Sequence, residues 1–283
     1  MTRAERSQAV RGMNTLTTKL KWAVADGWTV ARRNLMHIRY VPEKLLDVTL
    51  QPLMFVLLFA YVFGGAIAIP DGGDYKEYLM AGIFAQTMAF TFMGAATSMA
   101  EDLHTGVVDR FRALPMARSA VLSGRVIADF ASALIGLAVL VGSGLIVGWG
   151  IHTDVLHAAA GFAILLLFTL AMLWLGTLVG MLVRAPDAAQ GLGFVLLFPL
   201  TFLANSFVPT EGMSSLVRTL ADYNPLSAVV AAMRDLFGNP GAIPDGAPWV
   251  LQHPAVTAVG WSLALLAIVM PLAIHRYQRA TAG

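Results

Sequence analysis

The order of apolar and polar positions divides this chain into long greasy stretches joined by short polar ones. A helix needs about 20 predominantly apolar residues to cross the hydrocarbon core of a bilayer. Six stretches reach that length, at about 46–69, 78–99, 123–149, 157–182, 190–208 and 255–275. They predict an all-α integral membrane protein with six transmembrane helices. The region 209–254 does not read as a plain loop, because "SSLVRTLADYNPLSAVVAAMRDLF" carries two short helical patterns that break at Asn224-Pro225. Proline cannot continue a helix and restricts the residue before it. The expectation is a helical hairpin between spans five and six, either partly embedded or lying on the surface.

Composition strengthens the membrane reading. The chain is 57% hydrophobic and 13% charged, with a mean hydropathy of +0.69, where a soluble domain carries roughly a quarter charged residues. It contains no cysteine, which excludes a disulfide framework and a cysteine metal site. A net charge of +2 is too small to point to nucleic acid. The basic N-terminus lacks the short apolar core and small-residue cleavage site of a signal peptide.

Lys and Arg are distributed unequally between the loops. Residues 1–45 hold nine, 100–125 four, 183–189 one and the C-terminal tail two, whereas the alternate loops hold three in all. Cytoplasmic loops carry the excess of Lys and Arg. Both termini are therefore expected in the cytoplasm of a multi-pass plasma-membrane protein, and the 209–254 hairpin outside. Two parts follow: a cytosolic N-terminus with an interface helix over 1–45, and one transmembrane domain over 46–283. Within the first part, Leu20, Val24, Trp28, Ala31, Leu35 and Ile38 fall within about 80° of a helical wheel. Lys21, Asp26, Arg32, Arg33, His37 and Arg39 fall elsewhere. This pattern suits a helix lying in the membrane interface; the competing account is an amphipathic helix docked on protein.

Catalytic chemistry has little support. None of Lys19, Lys21, Lys44 and Lys76 is followed by Ser or Thr, so the chain has no phosphate-binding loop of the usual pattern. The histidines are scattered without metal-ligand spacing, and no nucleophile elbow is visible. Ionisable groups inside the spans, functional candidates by default, are few. Asp47 sits at the edge of the first span, and Asp129 stands at i, i+4 from Arg125, with which it can pair. Gln51, Gln86 and Asn205 are the polar neutral groups. Gly144-x-x-x-Gly148 and Gly176-x-x-x-Gly180 suit close helix packing.

The most charged internal stretch, "MAEDLHTGVVDRFRALPMARSAV", lies between spans two and three. Val107, Phe111 and Leu114 form one apolar stripe at i, i+4, i+7. Asp109 suits a first turn, Thr105 can cap it, and Pro115 closes it. Glu101 and Asp102 precede it, and Arg110 and Arg112 take its polar sides. A short amphipathic helix of this kind must dock on something, either a partner or the N-terminal helix of the same chain.

The same stretch resembles a known family. "EDLHTGVVDRFRALP" is similar to the E-x-x-x-x-G-x-x-[DE]-R-x-x-x-x-P pattern after the second span of ABC type-2 exporter permeases, and in particular looks like the daunorubicin-resistance branch. The matching positions are Glu101, Gly106, Asp109, Arg110 and Pro115. "YNPLSAVVAAMRDL", 223–236, resembles the family's N-P-[LV]-[ST] segment before the last span. Leu103-His104-Thr105 and Val107 depart from the commonest filling.

The resemblance implies the permease half of an exporter, with a coupling helix at 101–115 seated in a groove of a separate ABC ATPase. Glu101, Asp102, Gly106, Asp109, Arg110, Phe111, Arg112, Leu114 and Pro115 would make that contact. It implies two ATPase copies, a second permease copy (expected to be the same chain), and no cofactor on this chain, ATP and Mg belonging to the partner. It places the substrate path between the halves, at spans one, two and five. There Phe55, Phe59 and Phe63 recur at i, i+4, i+8, and Phe198, Phe202 and Asn205 stand near Pro199. With Gln86 they are the candidate lining for a hydrophobic drug or lipid-like molecule. The competing account makes the phenylalanines a lipid-facing or dimer surface. Two other functional classes were weighed. An ATP-independent carrier or channel predicts mid-span charges or an inverted repeat, and a scaffold or enzyme predicts a catalytic cluster.

Overall fold

The computed structural model describes Leu50 and residues 53–63, 67, 69, 73–105, 118–183, 185–241 and 246–280. Among these residues every regular element is a helix. A π-helical turn, Leu58–Phe63, is followed by α1 Tyr75–His104, α2 Arg118–Val147, α3 Val155–Gly180 and α4 Pro186–Phe202. A 3₁₀ turn, Thr210–Gly212, leads into α5 Ser215–Asp222, α6 Pro225–Phe237, α7 Trp249–Gln252 and α8 Pro254–Ala280.

Four described helices are long and apolar enough to cross a membrane: α1, α3, and the bulk of α2 and α8. They correspond to the second, third, fourth and sixth expected spans. The fifth differs. α4 has 17 residues and stops at Phe202, whereas the apolar run continues to Val208. One cause is local: Pro199 lies inside the helix, where it gives up one intrahelical bond and crowds the preceding turn. Residues 46–49, 51–52, 64–66 and 68 of the first expected span, Asp47 and Gln51 among them, and the interface helix at 20–38 lie outside the described residues. The break at Asn224-Pro225 falls between α5 and α6, at the expected position.

α1 is the axis of the bundle. It packs against α2, α3, α4 and α6, and it can do so because its surface is paved with small buried residues, among them Ala81, Ala85, Ala89, Ala95 and Ala96. α1 and α3 touch backbone to backbone. A Cβ on Gly176 would stand 2.3 Å from the Phe92 carbonyl oxygen, and one on Gly180 2.3 Å from that of Ala96. The Gly176-x-x-x-Gly180 pair is thus a packing seam, as its spacing suggests. Gly144-x-x-x-Gly148 is not a seam. Gly144 meets the side chain of Met80, while Gly148 has open space around it and a φ of +107°. It lets the chain leave α2, in a backbone conformation that glycine adopts without strain.

At the α1 N-terminal end, Trp149 seats its ring edge-on against Phe84 and Phe237 and donates its indole N–H to Asn239 at 2.8 Å. Glu77 on α1 pairs with His152 at 2.7 Å. Asp154 caps α3, accepting the His157 N–H at 3.0 Å. That bond and the neighbouring His157 ring hold its carboxyl below the usual carboxylate range.

Candidate functional site

The end of α4 organises the site. Beyond Phe202 the chain runs irregularly through 203–208 before the 3₁₀ turn. Non-helical backbone in or near a membrane must have its polar groups bonded by protein, and side chains from both flanking elements do this. Asn224, the N-cap of α6, accepts the Leu226 N–H on its carbonyl oxygen. Its amide donates to the carbonyls of Leu200 and Leu203, each at 2.8 Å. Tyr75 donates to the Phe207 carbonyl and Tyr78 to that of Asn205, each at 3.0 Å. Ser227 accepts the Asn205 N–H at 3.2 Å. In the N-P-L-S segment Asn224 and Ser227 are both tied to the end of α4 and the residues that follow it.

Arg234 completes the arrangement. It is 3% exposed on α6. Its Nε donates to the Tyr78 carbonyl at 3.0 Å, and one terminal nitrogen donates to the Asn205 and Ser206 carbonyls at 2.9 and 3.2 Å. The guanidinium carbon lies 3.4 Å from the Tyr78 ring centroid, a cation–π contact. Segment 203–208 can approach α1 this closely because residue 82 is glycine: a Cβ there would stand 2.1 Å from the Ser206 carbonyl oxygen.

The same segment carries Phe207, which is buried and joins the two expected aromatic groups. Phe55 stacks on Phe59 at 5.8 Å between centroids, and Phe207 stacks on Phe55 at 6.4 Å and on Phe59 at 4.7 Å. Phe198 stacks on Phe202 at 4.3 Å, and Phe202 reaches Phe207 at 5.7 Å. Phe198 and Phe202 are partly open to the surface of the single chain, beside exposed Phe194 and Val195. Gln86 is buried on α1. The Asn205 side-chain oxygen and the Ser206 hydroxyl are buried without a hydrogen-bond partner. Phe63 closes the π-helical turn, but its side chain lies outside the described residues.

Phe207, Tyr75, Tyr78 and Arg234 were not singled out from the sequence. Arg234 left a signal: it follows the apolar run AVVAAM on a short helix, and a charged residue beside such a run is the kind that membrane energetics marks as functional. Phe207 sits in the last turn of the expected fifth span and falls off the i, i+4 pattern of Phe198 and Phe202, because the helix has already ended.

At the opposite end of α1, the expected coupling helix is only partly within view. Gly106, Asp109, Arg110, Phe111, Arg112, Leu114 and Pro115 lie outside the described residues. Glu101 and Asp102 belong to the last turn of α1, not to a separate helix, since nothing in the sequence before Gly106 interrupts the helix. Thr105 closes α1 at its C-cap, its hydroxyl donating to the Glu101 carbonyl at 2.8 Å. Asp102 pairs with Arg125 of α2. Arg125 also lies 3.8 Å from Asp129, the pair that the spacing predicts.

Comparison with known proteins agrees with this architecture. The sequence pattern of the ABC-2 type transporter family matches residues 26–237. The daunorubicin resistance ABC transporter permease protein DrrB1 of Streptomyces coeruleorubidus is 30% identical over 260 residues, covering 92% of this chain and 88% of that protein. The doxorubicin resistance ABC transporter permease protein DrrB of Mycobacterium tuberculosis is 25% identical over 257 residues, 88% of each chain. The probable doxorubicin resistance permease DrrC of the same organism is 21% identical over 259 residues, 89% of each. With a helical bundle built on four membrane-length helices and a family match across most of its length, this chain is a multi-pass membrane protein of the ABC-2 type transporter family.

Proposed function

We propose that the chain is the permease subunit of an ABC exporter that carries a hydrophobic, partly aromatic drug or a lipid-like molecule out of the cytoplasm. The observation that carries this reading is the aromatic group of Phe55, Phe59, Phe198, Phe202 and Phe207. It gathers residues from the first and fifth apolar stretches on one side of the bundle. Stacked rings bind flat apolar molecules with little desolvation cost. The buried side-chain oxygen of Asn205 and the Ser206 hydroxyl beside them offer a polar anchor, as most ligand sites do. The names of the relatives, which concern daunorubicin and doxorubicin resistance, point to the same substrate class.

In this reading six spans cross the plasma membrane with both termini in the cytoplasm, as the Lys and Arg distribution favours. The α5–α6 hairpin lies outside. The loop between α1 and α2 docks on a separate ABC ATPase, which binds ATP and Mg. Two permease chains pair, and the exposed α4 face with Phe194, Val195, Phe198 and Phe202 is the surface they would share around the path.

The test is purification of the tagged chain in mild detergent from its own host, followed by transport in proteoliposomes. Co-purification of an ATPase near one-to-one, lost on exchanging Phe111 and Arg112 for Ala, supports the reading. A chain that purifies alone and moves solute without ATP would replace it with a secondary transporter.

A further inference from the structure

We propose that Arg125 is a positioning residue for energy coupling: it holds α1 and α2 together through Asp102 and lets them part by keeping Asp129. The proposal rests on the reading in which the loop between these helices is pushed by an ATPase.

In sequence, residues 106–117 join the last turn of α1 to the first turn of α2. The Asp102–Arg125 pair ties these two stems. A displacement of the loop therefore reaches this pair before it reaches the apolar seams further along the helices. The guanidinium is not free to stand alone there. The Arg125 side chain is 18% exposed, and its neighbours Leu122 and Val126 share an apolar cluster with Tyr277 of α8. Removing the partner of a largely buried charge is far more costly than losing an exposed pair.

Asp129 changes that cost. It lies on the same helix as Arg125, 3.8 Å from Nε, and so travels with it. When α1 moves away, Asp102 is lost but a carboxylate remains. Glu101 and the Tyr277 hydroxyl also lie within electrostatic reach of the guanidinium. Both stand on elements other than α2, so neither is certain to follow it. Asp102 therefore stabilises the closed stem, and Asp129 lowers the barrier to opening it. Two acids on one arginine, one across the joint and one on its own side, make a contact that can be released and remade.

The chain has no cysteine, so a pair of spin labels can be placed cleanly. His104 and Ile127 are exposed positions on α1 and α2, and the H104C/I127C pair reports the stem by pulsed electron resonance in lipid discs. For the permease alone, the wild type should give one short distance. D102N should add a longer one, raising the open population about fivefold, because Asp102 itself is 35% exposed and Asp129 stays beside the guanidinium. In the complex, ATP should add the long distance to the wild type but not to D129N. D129N should then hydrolyse ATP with little transport while still binding the ATPase. D102N and D129N are near-isosteric, and D102E serves as a check that retains the charge. An unchanged distance distribution in D102N, or an ATP response in D129N equal to that of the wild type, would overturn the proposal. The measurement on the permease alone needs no ATPase, so its outcome is separate from the outcome for the exporter reading, which fails if no ATPase joins the wild-type chain.

Discussion

Phe207 stacks on Phe59 at 4.7 Å between ring centroids, and this contact links the segment after α4 to the first apolar stretch. Replacing Phe207 with Ala should cost about 3–5 kcal/mol, the usual range for a buried phenylalanine, and would be read as a fall in the unfolding temperature in detergent. Phe207→Leu keeps most of the apolar volume and removes the ring. It should leave folding nearly intact and shift transport several-fold in favour of aliphatic over aromatic substrates, measured in vesicles with a matched panel. Unchanged relative rates would make the cluster a packing feature only.

Asn224 serves two elements at once, capping α6 and satisfying α4. Asn224→Ala should cost about 2–4 kcal/mol, a lost cap plus two carbonyls left without donors. Asn224→Asp retains the cap but has no amide hydrogens to give, and should lose about 1–3 kcal/mol. Denaturant titration of the purified protein separates the two; equal stability of Asn224→Asp and wild type would show that the α4 carbonyls gain nothing from this residue.

Arg234→Lys keeps the charge and loses the planar fork that reaches three carbonyls. A loss of about 1–3 kcal/mol is expected. Thermal unfolding followed by size-exclusion chromatography is a sufficient readout.

The α1–α3 seam makes a sharp contrast between glycines. Gly176→Ala puts a methyl 2.3 Å from a backbone oxygen, which the helices can relieve only by moving apart, at about 1–3 kcal/mol. Gly94→Ala on α1 meets nothing within 4 Å and should be neutral or stabilising by up to about 1 kcal/mol through helix propensity. The two variants compared in one detergent give the sign directly.

Asp154 predicts a pH effect. Its folded pKa is lowered, chiefly by the His157 N–H and then by the His157 side chain. Its contribution is thus fully present above the ordinary carboxylate range and is lost as pH falls through the lowered value. Asp154→Ala should unfold at a lower temperature than wild type at neutral pH, and the gap should close in acid.

Much of this was legible in the sequence, for identifiable reasons. The long spans are set by apolar length, a property that no tertiary contact overrides, so α1, α2, α3 and α8 fall where hydropathy puts them. Gly176 and Gly180 were readable because helical spacing alone decides which residues share a face. Arg125 and Asp129 were readable for the same reason. What failed was the end of α4. It stops at Phe202, where Pro199 weakens it and where the Leu200 and Leu203 carbonyls take the Asn224 amide as donor. The carbonyls that follow turn to Tyr75, Tyr78 and Arg234, partners far away in sequence. Likewise Glu101 and Asp102 read as the start of a new helix but extend an old one, since acids at a helix end are compatible with either. Asp102 then turns to Arg125, a partner that its own neighbours do not disclose.

The bonding of segment 203–208 has a consequence for biogenesis. Its carbonyl partners are Tyr75 and Tyr78, synthesised well before it, and Asn224 and Arg234, synthesised after it. Segment 203–208 therefore cannot settle when it first leaves the ribosome; it must wait in the translocon or in water until residue 234 has emerged. Arrested nascent chains should show this segment open to protease when they end before Asn224, and protected once they extend past α6. Order of synthesis and order of assembly differ here, and a chain truncated between the two would be held by the insertion machinery with four carbonyls, those of Leu200, Leu203, Asn205 and Ser206, short of some or all of their donors.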